Sequence, residues 1–174
     1  MEQEPKVAII MGSQSDLPVV EEAAAVLERF GVPFETRVLS AHRSPDAVGE
    51  FARTARDRGL CVLIAVAGKA AHLAGVLAAG TTLPVIGVPV PGDGLGGMDA
   101  LLSTVQMPSG VPVACMGLGK SGARNAAVLA VQILAVGDSD LRGALESYRQ
   151  ELRQKVEAQD AEVQQRLKQR REQR

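Results

Sequence analysis

The chain has 174 residues, of which 19 are Lys or Arg and 20 are Asp or Glu, so its formal net charge is -1. This length predicts one domain, or one domain with a short appendage, and argues against two independent cores. The balanced charge and an aromatic content of 2% exclude the basic surface and the base-stacking side chains of a typical nucleic-acid-binding protein, and they give no general attraction to anionic membranes.

Short apolar segments alternate with segments of helical period along most of the chain. In chain order, we predict a strand at 7–11, a helix at 16–30, a strand at 34–39, a helix at 44–58, a strand at 61–67, a helix at 69–79, a strand at 84–90, a loop at 92–97, a helix at 98–106, a strand at 111–116 and a helix at 121–136. Strands that alternate with helices in this way are joined by right-handed crossovers and form a parallel sheet covered on both faces. The prediction is therefore an α/β fold, a single three-layer doubly wound domain whose five-stranded parallel sheet has the flavodoxin-like order.

Turn and cap residues mark several of these boundaries. Gly31 and Gly59 are expected to end the first and second helices. Ser44 is expected to cap the second helix, with Pro45 as its first residue.

After Asp138 the sequence changes to a long polar helix. Its apolar residues fall three or four positions apart and form one stripe: Leu141, Leu145, Tyr148, Leu152 and Val156. We expect this stripe to be covered by the protein's own domain or by another subunit. From about residue 159 the apolar content falls and the tail becomes basic through Arg166, Lys168, Arg170, Arg171 and Arg174. A solvated or frayed helix end is expected, with a partner-binding tail as the alternative. The predicted division is an α/β domain at 1–137 and a C-terminal helix at 138–174.

The sequence predicts neither a disulfide, nor a metal site, nor a membrane segment. Cys61 and Cys115 are far apart in apolar segments, as expected for small buried residues in a reducing compartment. The two histidines have no Cys or carboxylate at ligand spacing, which makes a zinc site improbable. The N-terminal residues lack the pattern of a signal peptide, and no apolar run reaches the length of a membrane span. We therefore expect a cytoplasmic protein.

Small and polar residues follow each of the first three predicted strands. These segments are 12–16, 40–44 and 68–72, and they include both histidines of the chain, His42 and His72. In an open parallel sheet, ligands bind outside the carboxyl ends of the strands. The sequence therefore predicts one binding site that these three segments build together.

The first of these segments is suited to a single phosphate group. It matches neither the dinucleotide motif nor the P-loop. Ser13 and Ser15 nevertheless supply hydroxyl groups at the start of a helix, where backbone N–H groups are free. Arg43 adds the planar fork of donors that favours phosphate or carboxylate. Asp16 fits the hydroxyl groups of a sugar, unless it only caps the helix that follows. A phosphorylated ribose is the expected ligand.

His42 is the candidate for proton transfer, because imidazole exchanges protons near neutral pH. A lone histidine is more often structural, but the neighbouring Ser40, Arg43 and first segment favour a catalytic role here. His72 is expected one turn into the third helix, where a packing or orienting role is as compatible with the sequence as direct contact. No Cys, Ser or Lys has an evident base partner, so covalent catalysis is not indicated.

Six segments carry a family resemblance. They are MGSQSD at 11–16, SAHRSPD at 40–46, AAHLAG at 70–75, LPVIGVPV at 83–90, MDALLSTVQMPSGVPV at 98–113 and GARNAAVLAVQIL at 122–134. In this order and spacing the chain resembles the phosphoribosylaminoimidazole carboxylase catalytic-subunit family, and within it the class of N5-carboxyaminoimidazole ribonucleotide mutases. Each segment alone is a weak signal, whereas the combination of three active-site loops is specific.

The resemblance implies an isomerase of de novo purine biosynthesis that uses no metal and no organic cofactor. Such an enzyme converts N5-carboxyaminoimidazole ribonucleotide to 4-carboxy-5-aminoimidazole ribonucleotide by decarboxylation and recarboxylation. His42 would be the acid/base catalyst. Ser13, Asp16 and Arg43 would bind the ribose phosphate, with Ser40 nearby. The full set of implied substrate-binding residues is Gly12, Ser13, Ser15, Asp16, Ser40, Arg43, Ala67, Gly68, Lys69, Ala70, His72 and Leu73. The resemblance also implies a homo-octamer in which the C-terminal helices pack across subunits.

Lys69 departs from the mutase pattern. The mutase class has AGGAAH where this chain has AGKAAH, so a Cβ and a charge replace a glycine where the backbone approach is close. The related carboxylase class, which adds free CO2 to aminoimidazole ribonucleotide, tends to have Arg at this position, followed by Ser-Asn. Lys69 thus leaves the carboxylase as an alternative, while Ala70, Ala71 and His72 favour the mutase. A non-catalytic flavodoxin-like module that binds a sugar phosphate is the second alternative.

Overall fold

The structure, a computed structural model, describes residues 4–92 and 94–172. In chain order its elements are β1 (Val7–Met11), α1 (Leu17–Arg29), β2 (Phe34–Val38), α2 (Pro45–Thr54), β3 (Val62–Gly68), α3 (Leu73–Gly80), β4 (Val85–Val90), α4 (Met98–Val105), β5 (Ala114–Cys115), α5 (Gly119–Ala135) and α6 (Ser139–Glu172). A short 3-10 turn, Gln14–Asp16, precedes α1. Three features of the sequence analysis lie outside the described residues: the first three residues, Asp93 in the predicted loop and Arg174 in the basic tail.

The five strands form one parallel sheet in the order β2-β1-β3-β4-β5. Val7 at the start of β1 lies opposite Phe34 of β2 on one side and Val62 of β3 on the other. This is the flavodoxin-like order, and it confirms the predicted fold. Because β1 lies between β2 and β3, the chain turns to opposite sides after β1 and after β2, which leaves a crevice at the carboxyl ends of β1 and β3.

The two central strands explain why the sheet is stable. Every residue of β1 is buried, as are residues 62–66 of β3. Ile10 and Leu63 belong to a buried cluster that includes Val48 and Phe51 of α2 and Leu77 of α3. Ile9 and Ile64 are also fully buried, and they point to the opposite face because side chains alternate along a strand. Each large side chain of this kind contributes about 1.5–3 kcal/mol relative to exposure.

Three predicted elements were too long at one or both ends. The second helix ends at Thr54, and the chain continues in turns to Gly59, whose φ is 84°. The third helix begins at Leu73 instead of residue 69, since Lys69 adopts the left-handed backbone that interrupts a helix. The fifth strand is only Ala114–Cys115, because Pro112 has no N–H for the ladder. The other predicted boundaries agree with the structure within two residues.

The chain divides into two compact units, one that ends at Leu134 and one that begins at Ala135. The second unit is mainly α6, whose side chains are all at least partly exposed. Asp138 caps this helix, because its Oδ1 accepts hydrogen bonds from the N–H groups of Asp140 (2.9 Å) and Leu141 (3.0 Å). The predicted basic tail is helical and exposed as far as Glu172. None of the helices within the described residues has the length and hydrophobicity needed to cross a membrane.

Candidate active site

A cavity of about 800 Å³ opens at the carboxyl ends of the first four strands. This volume is within the range typical of small-molecule sites, roughly 300–1,000 Å³. Its lining contains every residue predicted for catalysis or substrate binding: Gly12, Ser13, Ser15, Asp16, Ser40, His42, Arg43, Ala67, Gly68, Lys69, Ala70, His72 and Leu73. It also contains four residues that the sequence analysis did not single out, namely Ala41, Val90, Pro91 and Gly92. The last three follow or end β4, so the strand-end rule would have found them had it been applied to that strand.

The loop after β1 presents two serine hydroxyls. The Oγ of Ser13 accepts a hydrogen bond from the N–H of Ser15 (3.3 Å), and the hydroxyl groups of the two serines are hydrogen-bonded to each other (3.0 Å). Ser13 therefore caps the 3-10 turn. The N–H of Gly12 donates to the carbonyl of Val66 (3.0 Å), which ties the start of this loop to β3. The loop thus holds small polar groups directly before the N-terminus of α1, where an anion is favoured.

Asp16 is the buried acid of the site, with only 7% of its surface exposed. It stands at the N-cap position of α1, but its side chain makes no capping hydrogen bond. The structure therefore does not support the alternative that Asp16 serves only as a cap. Burial raises the pKa of its carboxyl, and hydrogen bonds from the backbone of Ser13 and the side chain of Ser15 partly oppose this effect. A carboxylate in this position has little contact with solvent, and its oxygens can accept further hydrogen bonds from the hydroxyl groups of a ligand.

Arg43 connects the loops after β1 and β2. Its Nη2 donates to the carbonyl of Gly12 (3.0 Å), and its Nε donates to the Oγ of Ser40 (3.2 Å). The backbone N–H of Arg43 donates to the same serine oxygen (3.2 Å). These bonds hold the guanidinium in place and leave further N–H donors for an anionic ligand.

Ser44 occupies the N-cap position of α2 and Pro45 is the first helical residue, as predicted, but the Ser44 side chain does not cap the helix. Its hydroxyl makes no capping hydrogen bond to α2. It donates to the carbonyl of Ser40 (3.1 Å) and accepts from the N–H of Ser40 (3.1 Å). The hydroxyl closes the loop after β2 on itself, and this local competition for backbone groups is typical of serine.

His42 and His72 form a hydrogen-bonded pair across the cavity. The Nε2 of His42 lies 2.8 Å from the Nδ1 of His72, and the two rings meet edge to face with centroids 4.9 Å apart. In such a bond one nitrogen donates a proton and the other accepts it. The predicted position of His72 inside a helix is wrong, because His72 precedes α3. The turn that ends β3, with a hydrogen bond from the N–H of His72 to the carbonyl of Ala70 (2.8 Å), lets the ring face His42.

Lys69 has the only positive φ among the non-glycine residues that the structure describes, at 56°. The loop after β3 therefore accommodates the side chain by adopting the left-handed conformation that a glycine would take without strain. Lys69 is exposed and lines the cavity. The neighbouring Gly68 lies close to β4, since a Cβ at Gly68 would come within 3.1 Å of the carbonyl oxygen of Val90.

The cysteines differ from expectation in burial. Cys61 and Cys115 are both free, as expected, but both are half-buried. Burial raises the pKa of the Cys115 thiol. Neither thiol lines the cavity. Within residues 4–92 and 94–172, no group of His, Cys, Asp and Glu side chains is arranged to hold a metal ion.

Comparison with known proteins gives consistent matches. Residues 6–155 match the AIR carboxylase family. A Pyrococcus abyssi protein named N5-carboxyaminoimidazole ribonucleotide mutase is 56% identical over 149 residues, which cover 86% of this chain and 84% of that protein. A Bacillus subtilis protein of the same name is 55% identical over 153 residues, covering 88% of this chain and 94% of that protein. The crystal structure of Treponema denticola PurE matches with a TM-score of 0.81 at 31% identity, covering 91% of this chain and 98% of that chain.

Proposed function

The chain belongs to the AIR carboxylase family, as its motifs indicated, and we propose that it converts N5-carboxyaminoimidazole ribonucleotide to 4-carboxy-5-aminoimidazole ribonucleotide in purine biosynthesis. It is an isomerase by this assignment. The observation that carries the proposal is the His42–His72 hydrogen bond of 2.8 Å in a cavity whose other polar groups suit a sugar phosphate. The similarity to two proteins named as mutases, at 55% and 56% identity, supports the same reaction.

Substrate binding is assigned first to the loops after β1 and β2. Ser13, Ser15 and Arg43 bind the phosphate, because hydroxyls, a guanidinium and a helix N-terminus together favour a dianion. Asp16 accepts hydrogen bonds from the ribose hydroxyls. In this assignment the substrate phosphate does not contact the Asp16 carboxylate. A carboxylate repels a phosphate, because both are anionic, but it accepts hydrogen bonds from hydroxyl groups.

His42 then donates a proton to the substrate and later in the same turnover takes one back. It donates a proton to N5 as the bond between N5 and the carboxyl carbon breaks, and the electron pair of that bond stays on N5 while CO2 leaves. The ring carbon C4 attacks the same CO2, and His42 removes the proton from C4 as the imidazole regains its aromaticity. The proton balance is therefore closed within one turnover. A positioned acid/base of this kind contributes roughly 10²–10⁴ in rate.

His72 positions His42 in this scheme. Its Nδ1 lies within hydrogen-bond distance of the His42 Nε2, which fixes the orientation of the catalytic ring and leaves the His42 Nδ1 to face the substrate. Ala67, Ala70 and Leu73 form an apolar wall beside the aminoimidazole ring. Keeping CO2 next to C4 avoids a dilute bimolecular encounter, an advantage of up to several kcal/mol.

The carboxylase alternative is tested by following labelled carbon. Purified protein receives N5-carboxyaminoimidazole ribonucleotide in buffer with isotopically labelled bicarbonate, and a parallel sample receives aminoimidazole ribonucleotide with the same label. Unlabelled 4-carboxy product from the first sample and little product from the second support the mutase. Efficient labelled product from the second sample alone identifies a carboxylase. Binding of the ribonucleotides without turnover in either sample supports the alternative of a non-catalytic module that binds a sugar phosphate.

Assembly and location complete the proposal. We assign residues 1–137 to the catalytic domain and residues 138–174 to a helix that packs across subunits of a cytoplasmic homo-octamer. Exposed apolar side chains support an assembly: Met98, Leu102 and Val105 on α4 are each about half exposed, at 53%, 49% and 47%. On α6, Leu152 and Val156 of the predicted stripe are exposed at 38% and 64%. Mass measurement by light scattering after size exclusion tests the octamer, and a monomer would contradict it.

A further inference from the structure

Lys69 occupies a backbone conformation that a lysine does not favour. Its φ of 56° places it in the left-handed region, where a Cβ meets the following carbonyl oxygen. Glycine adopts this conformation without strain. Residues held in such conformations cluster at binding and catalytic sites, where the surrounding structure determines them.

The Lys69 side chain reaches the cavity from the loop after β3, on the side of β4. A Cβ added at Gly92, just after β4, would lie 3.9 Å from the Lys69 Cγ, so the lysine stem runs along the β4 side of its own strand. Arg43 instead follows β2 and bonds the loop after β1. In the order β2-β1-β3-β4, the two positions are separated by about two strand spacings, roughly 10 Å.

The Lys69 ammonium has no acidic side chain within ion-pair distance among the residues that the structure describes. It is exposed and lines the cavity. Arg43 and Lys69 thus bring two cationic groups to the cavity from the loops after β2 and β3, two strands that are not neighbours in the sheet, and the His42–His72 bond joins the same two loops. An extended ligand with an anionic group at each end fits this distribution of charge.

The substrate and the product of the proposed reaction are both extended ligands of this kind. Each has a phosphate at one end and, at the other, a carboxylate on the imidazole ring or on the amino group attached to it. We propose that Lys69 binds the carboxylate of the substrate and product, and so makes the site prefer carboxylated over uncarboxylated aminoimidazole ribonucleotide. This inference rests on the proposed function. Lys69 is a specificity-determining residue in this account and takes no part in proton transfer.

Lys69 holds the carboxylate before CO2 leaves as a neutral molecule. The interaction therefore lowers the energy of the bound ground state at least as much as that of the transition state. Loss of the charge is expected to raise KM for N5-carboxyaminoimidazole ribonucleotide without lowering kcat. A purely structural role would lower the melting temperature and affect all ligands equally.

The test compares Lys69→Met, which keeps the stem and removes the charge, with Lys69→Arg, which keeps the charge. Lys168→Met on the exposed tail of α6 is the matched control. Titration calorimetry measures binding of 4-carboxy-5-aminoimidazole ribonucleotide and of aminoimidazole ribonucleotide. We expect K69M to weaken the carboxylated ligand by about tenfold or more and the uncarboxylated ligand by less than about twofold, as the loss of one charged hydrogen bond predicts. K69R and K168M should bind both ligands like wild type.

Equal weakening of the two ligands by K69M would overturn the inference, because it would place Lys69 on the phosphate or ribose. Unchanged binding of both would also overturn it and would assign the side chain to solvent. Lys69→Gly removes the charge and the strain together, so it gives the same answer should K69M fold poorly. The proposed function fails separately if wild-type protein binds neither ribonucleotide, and that result would overturn both.

Discussion

The buried carboxylate of Asp16 is expected to bind substrate but to lower the stability of the fold. The substitution Asp16→Asn tests both effects. The Asp16 residue is 7% exposed, and burial raises the pKa of its carboxyl group. Its ionised form is therefore less favourable in the folded chain than in the unfolded chain. A raised pKa stabilises the fold below the pKa of the unfolded state, and this contribution is lost as pH rises through the pKa of the folded state.

Asparagine removes the charge and keeps the shape. Its oxygen can still accept the hydrogen bond from the Ser13 backbone, and its amide can donate to the Ser15 hydroxyl. We expect the D16N protein to gain stability over wild type as pH rises from 4 to 8, because only wild type loses protons from this buried site. Thermal unfolding at a series of pH values measures the difference.

The same substitution should weaken substrate binding. A hydrogen bond to a charged group contributes about 1.5–3 kcal/mol, so loss of the carboxylate acceptor for a ribose hydroxyl corresponds to a rise in KM of about 10- to 150-fold. Steady-state kinetics with N5-carboxyaminoimidazole ribonucleotide provides the assay. A D16N protein that binds substrate like wild type, or whose stability relative to wild type falls as pH rises, would refute this account of Asp16.

Three further predictions concern the histidine pair and the core. His42→Asn should abolish turnover while ribonucleotide binding, measured by calorimetry, stays near that of wild type; retention of about a tenth of the wild-type rate, against the roughly 10²–10⁴ expected from an acid/base group, would contradict the assignment. His72→Ala should lower kcat more than it raises KM, and His72→Asn should restore part of the rate because its amide reaches the position of Nδ1; equal rates for the two variants would argue against an orienting hydrogen bond. Gly87→Ala should destabilise the fold by about 1–3 kcal/mol, since the new Cβ would lie 2.4 Å from the Cγ2 of the buried Thr104. Denaturant unfolding measures this loss, with Gly117→Ala as the control because nothing lies within 4 Å of a Cβ there, and an unchanged midpoint for Gly87→Ala would show that Thr104 moves freely.

The fold was predictable because its signals are local and repeated. Continuous apolar strands such as Val7–Met11 and 62–66 are typical of a parallel sheet buried on both faces. The rule that ligands bind at the carboxyl ends of strands then selects the loops after β1, β2 and β3. The structure brings all three loops to one cavity, although the roles of their residues remain predictions.

The details that sequence reasoning missed depend on contacts between distant residues or on competition within a loop. The segment 69–72 has good helix formers, but the left-handed backbone at Lys69 delays α3 to Leu73. The hydrogen bond between His42 and His72 joins residues 30 positions apart, and no spacing rule indicates it. Ser44 matches a helix cap by type, yet its hydroxyl bonds to the backbone of Ser40 instead.

The side-chain bonds between loops have a consequence for how the site works. Arg43 ties the loop after β2 to the loop after β1 through the Gly12 carbonyl, and His42 ties it to the loop after β3 through His72. The loops meet because β1 lies between β2 and β3 in the sheet, and the two bonds hold the three loops together. A site arranged in advance loses less conformational entropy on binding. Substitution of Arg43 is therefore expected to affect the orientation of His42 as well as the binding of phosphate, because both side chains extend from the same short loop.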